Sequence, residues 1–193
     1  MTAPPAIEVP PPPQGGYMAE DLDRLPGLPP HTELIDGGLF FVSPQKNFHT
    51  LTLFLLETAL RRWCPIDLVV RREMSVLIGA HQRPEPDIVV VMADAVTSMD
   101  QTWYPVGAVV LAVEVVSPDS EERDRHRKPH LYADAGIKHF WRVEEAEGGR
   151  PVLHTFELRP ESVTYALKGV FLDQVTLNEP FRFEVDLTEI TKL

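Results

Sequence analysis

The stretch Val109-Val110-Leu111-Ala112-Val113-Glu114-Val115-Val116-Ser117 decides the fold. Its run of apolar, mostly β-branched residues reads as a strand buried on both faces, the kind found inside a sheet that carries helices. Glu114 does not suit that setting. An isolated ionised carboxylate there costs several kcal/mol, roughly, unless a cation or strong donors meet it. Two readings follow: a strand end or ion pair with an arginine such as Arg71 or Arg72, or a metal ligand.

A second carboxylate stands at the mouth of another apolar run. Asp87 follows Pro84-Glu85-Pro86 and opens Ile88-Val89-Val90-Val91. Aspartate at a strand start is often only a turn former. If the two strands are neighbours, however, Asp87 and Glu114 can share one hard cation, since Mg²⁺ is held by one or two carboxylates plus waters and phosphate. Downstream lies the basic run Arg123, Arg125, Arg127, Lys128, broken by Asp124 and His126. By itself it reads as a solvated helix face with an Asp124–Lys128 pair. His49 reads as a capping or core histidine.

Around these residues the pattern is helix, hairpin, helix, several strands, helix, strands. Met18–Leu25 is a short helix candidate, and Gly37-Gly38 marks a hairpin turn between Glu33–Asp36 and Leu39–Ser43. Apolar residues at three- and four-residue spacing predict a helix from Lys46 to Trp63, ended by Pro65. Strands are expected at 67–71, 74–78, 87–92 and 109–117. A helix start is expected at Ser117-Pro118-Asp119 and a second helical piece at 129–135. Further strands are expected at 140–143, 152–158, 163–167 and 181–185. This is an α/β (α+β) domain with a mixed central sheet flanked by helices. Residues 1–16, rich in proline, read as a disordered tail, and 17–193 as a single domain.

The 193 residues are 24% charged and 44% hydrophobic, and their balance is 18 − 29 = −11. That argues against a domain held on nucleic acid by a broad basic face, although a metal-dependent nuclease needs an acidic centre in any case. The single cysteine, Cys64, has no partner for a disulfide, and no Cys/His cluster has zinc spacing. The first residues lack the basic start and apolar run of a secretory signal, and Ala108–Val116 is too short to span a bilayer. A soluble, cytoplasmic protein is expected.

Taken together, Pro86-Asp87, then Glu114-Val115-Val116-Ser117-Pro118, then Arg123-Asp124-Arg125 with Lys128, Tyr132, Gly136 and Phe140-Trp141 resemble the Uma-two family of restriction endonucleases. That family lies within the PD-(D/E)xK nuclease superfamily. Glu33-Leu34-Ile35-Asp36-Gly37 and Ser43-Pro44 are similar to its opening hairpin, and His49 to its first helix. The resemblance implies a restriction-endonuclease-like core with an N-terminal hairpin and extra C-terminal strands, and a site on two central strands. The usual lysine position, two residues after the glutamate, is Val116 here. The resemblance therefore implies a migrated lysine, Lys128, 128 − 114 = 14 positions later. Val116 leaves apolar space beside Glu114 into which a lysine from the next helix can reach. Pro129 disfavours helical geometry at Lys128, so the lysine is expected at the boundary of two helical pieces.

The expected function is metal-dependent hydrolysis of DNA. Asp87 and Glu114 would bind Mg²⁺ or Mn²⁺, with the Val115 carbonyl as a further ligand and Lys128 as the catalytic cation. Glu33, His49 and Tyr132 are peripheral candidates, Glu33 and His49 for a second metal or for positioning, Tyr132 for holding the lysine, contacting phosphate or simply packing. DNA is the expected partner, and a homodimer would suit an enzyme that cuts both strands. The alternative is a catalytically silent binding or scaffold module that keeps the fold. An acid–base hydrolase using the carboxylate pair alone leaves Lys128 and the arginine run unexplained.

Overall fold

In the computed structural model, which describes residues 9–193, two apolar strands lie side by side at the centre of a six-stranded sheet. Chain order begins with a short helix α1 (Asp21–Arg24), a hairpin β1 (Glu33–Ile35) and β2 (Gly38–Phe40), and the long helix α2 (Asn47–Trp63). Strands β3 (Leu68–Arg72), β4 (Ser75–Leu77), β5 (Ile88–Met92), β6 (Trp103–Pro105) and β7 (Val109–Val115) follow. A π-helical turn, Arg123–Arg127, leads into α3 (Lys128–Asp134). The chain then continues through β8 (His139–Ala146), β9 (Arg150–Arg159), β10 (Thr164–Phe171), β11 (Gln174–Leu177) and β12 (Phe183–Asp186).

The large sheet runs β10-β9-β8-β7-β5-β3. Within it only β7 and β8 pair in parallel, as a strand–helix–strand unit requires; the other pairs are antiparallel. The sheet is thus mixed, as the sequence predicts. Period-two alternation divides each central strand between two cores. Leu111, Val113 and Val115 of β7, with Ile88 and Val90 of β5, pack with Leu53, Leu56 and Leu60 of α2. Ala112 of β7 and Val89 and Val91 of β5 face the other way, in a cluster with Tyr132 and Phe140. Glu114 shares the parity of Ala112, and Asp87 that of Val89, so both carboxylates belong on the α3 side.

Two local departures have clear causes. The hairpin turns on Asp36-Gly37, not Gly37-Gly38: both have positive φ, 53° and 73°, as a two-residue primed turn requires, and Gly38 already pairs with Ile35. Strands β6 and β11, three and four residues long, carry too little alternation to be expected from the sequence.

The expected tail divides: residues 1–8 lie outside the described residues, 10–15 are exposed, and Gly16 packs on the hairpin turn. There the Tyr17 amide donates to the Gly37 carbonyl at 2.8 Å, and a side chain at Gly16 would sit 2.9 Å from the Gly37 Cα. Arg83 secures the next stretch, donating to the Ala19 carbonyl and through both terminal nitrogens to Asp23, at 2.7 and 3.0 Å. Among the described residues, no helix is long and apolar enough to cross a membrane.

Candidate active site

Strands β5 and β7 are neighbours, and Ile88 pairs with Val113. Asp87 therefore sits one step beyond that pair, level with Glu114, where its Oδ2 accepts from the Val115 amide at 2.6 Å. Its Oδ1 lies 3.0 Å from His49 Nε2 on the first turns of α2. His49 does not cap the helix; it is buried, with its ring nitrogen against Asp87.

Glu114, Lys128, Glu33 and Asp124 are each at most 3% exposed. Lys128 Nζ lies 2.8 Å from Glu33 Oε1, 3.0 Å from Glu114 Oε2 and 3.2 Å from Asp124 Oδ1. Glu114 is neither a strand-end residue facing solvent nor a partner of Arg71 or Arg72. Arg71 instead donates to the Tyr104 hydroxyl, and Arg72 lies beside Glu57 and Glu73. The Asp124–Lys128 pair does form, but buried inside the cluster and not on a solvated face. Tyr132 donates to Glu114 Oε1 at 2.6 Å, so it holds the glutamate and not the lysine, while its ring packs near Phe140.

Pro129 explains how the lysine is aimed. It has no N–H for the Arg125 carbonyl, and its ring crowds that carbonyl. The chain responds with a π turn: the Lys128 amide bonds back five residues to the Arg123 carbonyl, and α3 starts at Lys128. The boundary lies where the sequence puts it, yet Lys128 itself keeps helical angles, φ −63° and ψ −43°. Ser120 begins the turn, accepting the Asp124 amide on its carbonyl at 2.8 Å and donating its hydroxyl to Asp124 Oδ2. Asp124 is a site residue that sequence reasoning places on the surface. Its signal is the four-residue step to Lys128, which looks the same in a buried and an exposed helix.

One cation facing three carboxylates leaves the cluster with excess negative charge. Burial pushes the Glu114 carboxyl well above the usual carboxylate range; Lys128 opposes this, and Asp124, Asp87 and Glu33 reinforce it. Burial likewise raises Asp124 against the pull of Lys128. Burial works against the Lys128 charge too, but Glu114, Glu33 and Asp124 outweigh it and hold the ammonium well above the ordinary lysine value.

These groups line a cavity of ≈ 40 Å³, enough for a cation and a water or two. Its wall holds six carboxylates (Glu33, Glu85, Asp87, Glu114, Asp119, Asp124) against two cations, Lys128 and Arg123. A divalent cation fits this wall by charge and by its hard oxygen donors, and Asp124 Oδ1, near Lys128 in charge contact, is a buried oxygen that makes no hydrogen bond. The fit would be through Asp87 and Glu114 with water, because among the described residues no three His, Cys, Asp or Glu side chains are already gathered to hold a metal.

A mixed six-stranded sheet thus carries paired carboxylates on adjacent strands with a buried lysine beside them. The chain belongs to the Uma2 family, described as "Putative restriction endonuclease", which matches residues 19–189. Its fold is similar to the crystal structure of "a putative nuclease belonging to DUF820" from Anabaena variabilis ATCC 29413, with a TM-score of 0.66 at 14% identity. That likeness covers 91% of this chain and 98% of the other. No curated protein matches the chain.

Proposed function

We propose that this chain hydrolyses phosphodiester bonds in DNA with a divalent cation, Mg²⁺ or Mn²⁺, and that Asp87, Glu114 and a migrated lysine, Lys128, carry the reaction. One observation bears most of the weight: the Lys128 ammonium lies 3.0 Å from the buried Glu114 carboxylate, in a small acidic cavity that Asp87 also lines. Family membership makes a hydrolase acting on nucleic acid the matching class. Asp87, Glu114 and the Val115 carbonyl would hold the cation, which when bound neutralises phosphate charge and lowers the pKa of a water.

The chain's own residues do the rest. Lys128 presents a fixed positive charge to the oxygens of the scissile phosphate as negative charge builds there. Glu33 and Asp124 hold that ammonium in place. His49 turns Asp87 toward the cavity, and Tyr132 holds one oxygen of Glu114 so that the other faces Lys128. Glu33 and His49 therefore act as positioning residues rather than ligands of a second cation.

The same reading treats residues 17–193 as one nuclease domain of a cytoplasmic protein, with a second copy as partner wherever both strands of a duplex are cut. The alternative, a silent scaffold that keeps the fold, is favoured by one observation: every oxygen of Asp87 and Glu114 already has a protein partner. Plasmid cleavage with Mn²⁺, measured beside melting curves with and without metal, separates the two. Cleavage that is lost in Glu114→Gln and Lys128→Ala supports hydrolysis. A wild type that neither cleaves nor responds to metal supports the scaffold.

A further inference from the structure

Two cations line the cavity, Lys128 and Arg123, and they differ in what they have left to offer. A lysine ammonium has three N–H donors. Three carboxylates, Glu33, Glu114 and Asp124, already lie within 3.2 Å of Lys128 Nζ, and its side chain is 4% exposed. Lys128 therefore acts on a phosphate through its charge, with no donor to spare for it.

Arg123 is placed differently. Its guanidinium lies 4.8 Å above the Phe40 ring of β2, and its side chain is 21% exposed at the cavity wall. The buried Nε has no hydrogen-bond partner; Glu33 Oε2, at 4.0 Å, is a charge contact only. The other arginines of the π turn are engaged, Arg125 with Glu121 and Glu144 and Arg127 with both oxygens of Asp36. Arg123 donates to no carboxylate among the described residues.

Glu33 ties the two cations together. Its Oε1 faces Lys128 and accepts the Glu85 amide at 2.9 Å, while its Oε2 faces Arg123. The π turn is a second tie. In a regular α-helix, residues three and four apart share a face. Here the Lys128 amide bonds to the Arg123 carbonyl five residues back, and both side chains enter one wall.

The wall's carboxylates repel a phosphate from either form of DNA, paired or single, so approach depends on cations free to meet it. The ≈ 40 Å³ inside admits a cation and a water or two, so the phosphate arrives at the mouth, where Arg123 is the more exposed of the pair. A planar fork with open donors matches two oxygens of one phosphate. Stacking on Phe40 holds the plane of that fork before any ligand arrives.

We infer that Arg123 is the residue that receives the scissile phosphate, donating to its non-bridging oxygens while Lys128 supplies charge from behind. The inference rests on the hydrolytic reading for the identity of that phosphate, and adds a substrate-binding arginine to it.

The test uses the full chain with a labelled DNA duplex and its separated strand. Fluorescence anisotropy in Ca²⁺ across a salt series reads binding, and cleavage in Mn²⁺ and melting curves run alongside. On whichever form binds more tightly, Arg123→Gln should lower the salt slope by about one. Its kcat/KM should fall about 10- to 100-fold, the loss of hydrogen bonds to a charged group. Arg123→Lys keeps the charge beside Glu33 but cannot fork; it should retain the slope and still cleave more slowly than wild type. Lys46→Gln is the control for general charge: Lys46 is exposed at the head of α2, next to Gln45 of the rim, and is not part of the wall. It should leave kcat near wild type. All three variants should melt near wild type and keep its response to Mg²⁺.

An unchanged slope in Arg123→Gln, full activity in Arg123→Lys, or an equal fall of kcat in Lys46→Gln would overturn the inference. So would a lost Mg²⁺ response in Arg123→Gln, which would make Arg123 a prop for Glu33. Arg123-dependent binding without wild-type cleavage keeps the arginine as a phosphate contact and removes the hydrolytic reading. Cleavage indifferent to Arg123 keeps hydrolysis and removes the arginine, and a chain that neither binds nor cleaves removes both.

Discussion

Among the described residues two cations are buried, and they are buried differently. Arg83 meets one carboxylate, Asp23, through two hydrogen bonds, and directs another donor to the Ala19 carbonyl. Charge is balanced one for one, and the Asp23 side chain is 50% exposed, so water shares the load. Lys128 meets three carboxylates, none more than 3% exposed, and a fourth, Asp87, lines the same cavity. The first arrangement fastens one segment to another. The second is short of positive charge, which a structural ion pair has no reason to be.

That contrast is broken most directly by removing each cation. Lys128→Ala strands three buried carboxylates and should cost about 3–5 kcal/mol at neutral pH, read from urea denaturation. The cost should shrink as pH falls, because Glu114 and Asp124 can then take up protons. A loss equal at pH 5 and pH 8 would show that the cluster is already neutral without its lysine. Metal sharpens the same point: Mg²⁺ at ~100 times its Kd should stabilise the wild type by about 2.7 kcal/mol, and Glu114→Gln should lose that response.

The buried carboxyls give the metal-free wild type a pH slope of definite sign, opposed only in part by His139, which burial lowers. Glu114, Asp124 and Glu85 are all raised by burial above their ordinary values. Between those ordinary values and the raised ones, the folded chain holds more protons than the unfolded one. Stability therefore falls as pH rises through that window, and bound Mg²⁺ should flatten the slope. Calorimetric melting from pH 5 to 8 with EDTA or with Mg²⁺ reads this directly, and a slope of the opposite sign in EDTA would refute it.

Smaller effects follow from single contacts. Tyr132→Phe removes a donor from a buried carboxylate and should cost about 1.5–3 kcal/mol. Arg83→Leu should cost about 1–2 kcal/mol, since Asp23 can return to water, with little dependence on pH between 5 and 8. Glu114→Gln should change stability by no more than about 1 kcal/mol, because Lys128 keeps Glu33 and Asp124 and the amide oxygen can still accept from Tyr132. A larger loss would place Glu114 with Arg83 as a structural ion-pair residue.

Much of this is legible in the sequence because apolar runs leave little choice. Val109–Val115 and Ile88–Val91 read as interior strands, and a carboxylate at each makes their neighbourhood the place to look. What stays hidden is direction. Pro129 announces a break before α3, but whether the break turns Lys128 inward depends on five residues of π geometry that no local pattern encodes. Asp124 is hidden for the same reason. Glu33 enters as a candidate through the family resemblance, but its contact stays hidden: it lies 128 − 33 = 95 positions before the lysine it meets, and only the packing of the hairpin against the sheet brings the two together.

The π turn has a consequence for how this segment tolerates editing. Each helical residue advances the chain by about 100°, and the Arg123–Arg127 turn sits between Ser120, which holds Asp124, and Pro129, which cannot move back into a regular ladder. Spelling is loose at three of its five positions, since Arg125, His126 and Arg127 pair with exposed or partly exposed carboxylates, whereas Arg123 and Asp124 line the cavity. Its count is not. Deleting one residue would swing the ammonium more than a quarter-turn off the glutamate, and so would adding one. Substitutions here change the letters of the segment; an insertion or deletion changes its reading frame in space.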